Sequence, residues 1–132
     1  TMKDYSFPTI TVRVSGKPTS ESSAEFKCNW AFIFNLPRYA SGLRIAPQAN
    51  DRDGKLDVTT FRCSSLMPAL FQLGTVLTHC HGEWSGSTQF QTTEVTLESD
   101  QENVPFQIDG DPGGTLPARI RILPGRLRLM LP

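Results

Sequence analysis

The chain has 132 residues, 38% of them hydrophobic and 20% charged, which suits one globular domain with a real core and excludes two ordinary ones. Thirteen Lys and Arg balance thirteen Asp and Glu, so no overall basic field draws in nucleic acid. No apolar run reaches the roughly 18–20 residues of a bilayer-spanning helix.

The polar opening TMKDYSFP is unlike a secretory leader, and Thr1 ahead of Met2 reads as the start of a fragment of a longer protein. TITVRVSG (Thr9 to Gly16) alternates Ile10, Val12 and Val14 against Thr11 and Arg13, which predicts a half-buried strand ended by glycine. KPTSESSAE reads as a loop. FKCNWAFIFN places Phe26, Cys28, Trp30, Phe32 and Phe34 at even spacing, with Ala31 and Ile33 opposite, and predicts one long central strand.

The next stretch, rich in Pro, Gly, Asn and Asp, reads as an ordered loop with a short strand around Leu43 to Ala46. LDVTTFRC (Leu56 to Cys63) alternates again. The period then changes: Leu66, Leu70, Leu73 and Leu77 recur at helical spacing, Pro68 stands in the first turn and Gly82 follows the end. A helix is expected over Ser65 to His81. STQFQ, TEVTLES, VPFQIDG, ARIRILPG and RLRLMLP are short, β-rich and separated by turn residues. The fold class that follows is mainly β: an antiparallel β-sandwich with one inserted helix, a single domain over residues 1–132.

Few chemical motifs stand out. Cys28, Cys63 and Cys80 are odd in number and form no C-x-x-C pair, which points to a reducing compartment. His79, Cys80 and His81 cluster, but no second pair of soft ligands exists to complete a metal site. Asp51, Asp53 and Asp57 surround Gly54, a hard-oxygen set of the kind Mg²⁺ or Ca²⁺ takes; Arg62 stands where a calcium loop needs its late glutamate, and on spacing alone a solvated turn is the better reading. Arg119, Arg121, Arg126 and Arg128 make a local basic run. In FQIDGDPGG, Asp109 and Asp111 flank Gly110 between two apolar runs; Asp-Gly between strands predicts a hairpin turn. No Gly-x-Ser-x-Gly elbow and no glycine-rich phosphate loop is present.

Several stretches together resemble the C-terminal domain of the diacylglycerol kinase family, in its bacterial lipid-kinase branch, related to sphingosine and ceramide kinases and more distantly to NAD kinases. The residues that carry the likeness are Asn35, Pro37, Arg38, Tyr39, Gly42, Leu43, Ile45, Ala46, Pro47 and Ala49, then Asp53, Gly54, Leu56 and Asp57, then QIDGDPGG and IRILPGRLRLMLP. The family's glycine run after Tyr39 is here Ala40-Ser41-Gly42, and its catalytic glutamate is here Asp111.

The resemblance implies the second domain of a two-domain, ATP-dependent lipid kinase, inactive without its N-terminal nucleotide-binding domain. It implies Asp111 as the general base with Asp109 in support. It implies Mg²⁺ held by the Asp53 side chain and the carbonyls of Asn50 and Lys55. The expected partners are a diacylglycerol-like or sphingoid lipid and the nucleotide-binding domain. The expected location is cytoplasmic, with peripheral membrane contact, and the uncovered interdomain surface is expected to self-associate. The rival readings are a non-catalytic lipid-binding or regulatory module of the same fold and an NAD kinase-like second domain.

Overall fold

A computed structural model describes residues 7–15, 24–37, 48–62 and 87–126. Among the described residues every regular element is a strand: β1 (Ile10–Ser15), β2 (Ala24–Cys28), β3 (Trp30–Phe34), β4 (Leu56–Phe61), β5 (Ser87–Thr92), β6 (Glu94–Ser99), β7 (Pro105–Ile108), β8 (Asp111–Thr115) and β9 (Ala118–Arg121). The expected helix over Ser65 to His81 and the short strand around Leu43 to Ala46 lie outside the described residues.

The strands form a four-stranded sheet in the order β2-β1-β6-β9, a three-stranded sheet β3-β4-β5, and the separate hairpin β7-β8. All pairings are antiparallel. The chain crosses between the two larger sheets at two corners. At the first, Asn29 separates β2 from β3; its N–H donates to the Phe61 carbonyl at 2.9 Å and its side-chain amide donates to the Pro8 carbonyl at 3.2 Å. At the second, the Thr92 hydroxyl donates to the Glu94 carbonyl at 2.8 Å and accepts the Glu94 N–H at 3.3 Å, which turns β5 into β6.

The corner at Asn29 corrects the reading of FKCNWAFIFN as one central strand. β2 and β3 each end the strand order of a different sheet. The face presented to the core also switches parity there. Phe26 and Cys28 pack in the main core before Asn29, and Ala31 and Ile33 do so after it. Trp30, Phe32 and Phe34 instead join Phe7 and the buried Phe61 in a second cluster. Even spacing implies a shared face only while the strand stays unbroken.

The main core gathers Val12, Cys28, Leu56, Val95 and Leu97 between the sheets, with Phe26 stacked on Phe90 at 4.9 Å. Burial pushes the Cys28 thiol up to about 11, against a smaller opposing pull from Arg62, so this cysteine is a packing residue rather than a nucleophile. β4 is buried along its whole length. It is therefore covered on both faces, although its sequence alternates.

Candidate functional site

The first candidate site is the loop entering β4. The Arg52 N–H donates to Asn50 Oδ1 at 3.0 Å and the Lys55 N–H donates to Asp53 Oδ1 at 2.9 Å. These are local side-chain turns of the kind Asn and Asp favour. The Asp53 N–H reaches the Asn50 carbonyl at 3.5 Å. The loop packs beside Pro124, whose Cγ lies 3.3 Å from where a Cβ on Gly54 would stand. The Asn50, Asp53 and Lys55 expected to hold a metal thus share one short, tightly turned segment.

Gln91 on β5 ties this loop to the sheet. Its amide nitrogen lies 3.1 Å from Asp57 Oδ1 and 3.5 Å from Asp53 Oδ2, and its oxygen accepts from Lys55 Nζ at 3.5 Å. Sequence reasoning did not single out Gln91. The Asp57↔Gln91 register joins residues far apart in the chain, and no local pattern announces it. Asp57 itself is buried, and its Oδ2 has no hydrogen-bond partner among the described residues. Burial raises its carboxyl above the ordinary value; the Gln91 N–H opposes this, the Asp53 charge adds to it and Lys55 opposes it.

The loop's donor set is one carboxylate with only a long contact to Oδ2, plus backbone carbonyls. Hard oxygens in that number fit a weakly held Mg²⁺ that keeps most of its water. Among the described residues no three His, Cys, Asp or Glu side chains converge, so the loop is no high-affinity cage.

The second candidate is the β7-β8 hairpin. Asp109 (φ 52°) and Gly110 (φ 95°) are its two turn residues, and Ile108 pairs with Asp111 across it. Two consecutive positive φ values make the primed turn that suits strand twist, and Asp-Gly is its favoured sequence. Asp109 is therefore a turn residue and Asp111 the first residue of a strand.

The register slips at Phe106/Gln107. A Cβ on Gly113 would lie 2.4 Å from the Phe106 ring. The Phe106 ring thus fills the space that a side chain at Gly113 would need. Both aspartates are exposed, and neither has a side-chain hydrogen bond or ion pair among the described residues. The hairpin is anchored at its base by the Leu116 N–H on the Val104 carbonyl at 2.8 Å, with Val104 buried and Leu116 packed on the main core.

The two candidates are rooted at opposite ends of β6. The hairpin springs from its Ser99 end. Near Glu94, the Ile122 N–H donates to the Thr93 carbonyl at 3.0 Å, two residues before the Pro124 against which the loop packs. Six strand residues span about 20 Å, and among the described residues no hydrogen bond or ion pair joins Asp53 to Asp111.

The basic run is partly neutralised, since Arg119 grips both Glu94 oxygens at 2.8 and 2.9 Å. Arg128, Cys63, His79, Cys80 and His81 lie outside the described residues. No helix among the described residues is long and apolar enough to cross a membrane.

Residues 1–131 match the family model described as the YegS C-terminal NAD kinase beta sandwich-like domain. The chain is 29% identical over 112 residues to the "Putative lipid kinase YtlR" of Bacillus subtilis (strain 168), covering 84% of this chain and 36% of that protein. It is 32% identical over 98 residues to a diacylglycerol kinase of Mycobacterium tuberculosis (strain CDC 1551 / Oshkosh), covering 74% of this chain and 31% of that protein. Its fold is similar to that of the "putative diacylglycerol kinase from Bacillus anthracis str. Sterne", with a TM-score of 0.65, 17% identity, and coverage of 92% of this chain and 39% of that one. The likeness to the solved structure speaks to fold alone.

Proposed function

We propose, because this chain belongs to the family of YegS C-terminal NAD kinase beta sandwich-like domains, that it is the lipid-side domain of an ATP-dependent lipid kinase. The chain spans 36% and 31% of the curated relatives it matches. The reading therefore includes a separate nucleotide-binding domain, without which this one transfers no phosphate. The substrate class is an alcohol-bearing lipid, diacylglycerol or a sphingoid base.

Asp111 carries the proposed chemistry. It stands at the first position of β8, fixed by the Asp109-Gly110 turn, exposed, and with no hydrogen bond or ion pair to its carboxylate among the described residues. As the lipid oxygen bonds to the γ-phosphorus, the bond from phosphorus to the β,γ-bridging oxygen breaks and ADP leaves. The hydroxyl proton passes to the Asp111 carboxylate and then to water. Asp109 supports that position by adopting the left-handed turn conformation. The Asp53 side chain and the carbonyls of Asn50 and Lys55 would hold Mg²⁺, which supplies a fixed positive charge at the loop.

The test is made in the longer protein that contains this chain. Asp111→Asn keeps the shape and removes the base; it lowers kcat by roughly 10²- to 10⁴-fold and leaves ATP binding unchanged. Asp111→Glu keeps measurable activity. Wild-type turnover by Asp111→Asn overturns the assignment.

A further inference from the structure

The two main sheets end in different kinds of strand. The outer strands of the four-stranded sheet carry charge: Glu25 and Lys27 on β2, Arg119 and Arg121 on β9. Charge along an edge strand discourages pairing with another chain. The three-stranded sheet ends in β3 and β5, whose sequences WAFIF and STQFQT hold no charge, no proline and no glycine.

Exposure separates those two uncharged strands. Every residue of β3 is half-buried, whereas Thr88, Gln89 and Gln91 on β5 are exposed. Among the described residues β5 pairs with β4 alone. A strand end-on to water, with none of the usual blocking residues, is a template for a further strand.

The β5 sequence says which strand fits. Thr88-Gln89-Phe90-Gln91-Thr92 reads the same in both directions. Two copies paired antiparallel about a twofold axis at residue 90 set Thr88 opposite the partner's Thr92, Gln89 opposite the partner's Gln91 and Phe90 opposite the partner's Phe90. Opposite residues share a face, so both glutamine pairs fall on one face and the Phe and Thr pairs on the other. A slip by one residue would set core-facing side chains against outward ones. Glutamine amides both donate and accept, and threonine hydroxyls do the same, so each like-with-like pair can be satisfied. Phe90 belongs to the main core, stacked on Phe26 at 4.9 Å, yet it is only half-buried. The partner's Phe90 would cover it where the sheet stops.

We propose that β5 is a self-association edge: a second copy of this chain adds its own β5 antiparallel across Thr88 to Thr92. The result is one six-stranded sheet in the order β3-β4-β5-β5-β4-β3. A twofold interface must be self-complementary, which the palindrome supplies, and the edge carries no charge that would select a foreign strand. One short strand pair is smaller than the interfaces of permanent dimers, so the dimer is weak, with a Kd on the order of 0.1 mM. The inference stands apart from the kinase reading, since association alone reads it.

Sedimentation velocity of the 132-residue chain is measured from about 10 µM to 1 mM, either side of that Kd. The mean mass rises from one chain toward two. Gln89→Lys, which charges the edge, raises the Kd about tenfold or more, while Lys27→Gln on β2 leaves it unchanged. Register is read by mixing Gln89→Cys and Gln91→Cys chains under mild oxidation: mass spectrometry finds the 89–91 linked peptide in the mixture and in neither variant alone. A chain that stays monomeric throughout, a Kd indifferent to Gln89→Lys, a Kd raised as much by Lys27→Gln, or a mixture without the 89–91 link each overturns the proposal. Should Gln89→Lys fail to fold, the cross-link in the mixture decides alone.

Discussion

The outer faces of the two main sheets are built on opposite plans. On the β2-β1-β6-β9 sheet the residues pointing away from the core are Thr11, Arg13, Glu25, Lys27, Thr96, Glu98, Arg119 and Arg121, with Glu94 among them. They form a lattice of ion pairs: Arg13 meets Glu25 at 3.2 Å and also contacts Glu98, and Arg119 meets Glu94. On the β3-β4-β5 sheet the equivalent face carries Trp30, Phe32, Phe34 and Phe61 in ring-to-ring contact, next to Asp57 and Thr59, both buried. Side chains so placed make the first face a solvated surface. The second buries Asp57 and Thr59 along its middle strand, between half-buried rings on β3 and the exposed Gln89 and Gln91 on β5, and buried polar groups are costly unless they are paired.

The largest effect should come from removing the ring at the centre of the second face. Phe61 is 3% exposed and meets Phe32 edge-on at 5.9 Å. Phe61→Ala should lose about 3–5 kcal/mol by chemical denaturation, the range for truncating a buried aromatic. A loss below about 1 kcal/mol, within the usual range for surface substitutions, would mean that this face is solvated like the other and would remove the contrast.

A smaller effect of opposite sign is expected at Asp57. Burial is the main cause of its raised carboxyl pKa, with Gln91 opposing, Asp53 adding and Lys55 opposing. A carboxyl raised on folding contributes stability that is fully present below its unfolded pKa and is lost as pH rises through the folded one. Asp57→Asn escapes that loss. It should be more stable than the parent chain by about 1 kcal/mol at neutral pH, the low end of the cost of an unpaired buried group. The difference should shrink as the pH falls through the carboxylate range, where the aspartate takes up its proton. Denaturant midpoints of the two chains across pH measure it; a pH-independent difference would show that Asp57 is paired after all.

The same contrast explains what the sequence made legible. Val12 and Val14 against Thr11 and Arg13 were readable as a one-sided strand because that sheet meets water on its outer face, where polar really means outside. Leu56 to Thr59 alternates as cleanly, yet the inference fails, because both faces are covered and the polar members are buried. Asn29 was equally silent: a single residue turns the corner and reverses which aromatics face the core. The Asp109-Gly110 turn was legible since its chemistry is local. Gln91 and the orphaned Asp57 oxygen were not, since both arise from a register between strands about thirty residues apart, and sequence adjacency carries no trace of it.

The finest test concerns the pairs that give the first face its character. Arg119 is 69% exposed at its side chain while Glu94 is 19% exposed, so one partner is solvated and the other half sheltered. Both Glu94 oxygens accept from the same guanidinium nitrogen, which gives less than the fork-to-fork geometry that strengthens such pairs. A double-mutant cycle with Arg119→Ala and Glu94→Ala should therefore return a coupling below about 1 kcal/mol, falling further in 1 M salt, where the screening length is only about 3 Å. The matching cycle on Phe32 and Phe61 should return roughly 0.5–1.5 kcal/mol and keep it in salt, since ring packing carries no net charge to screen. If the ion pair proves the stronger of the two and insensitive to salt, then Glu94 is held in a drier setting than its exposure implies, and the charged face is itself part of an interior.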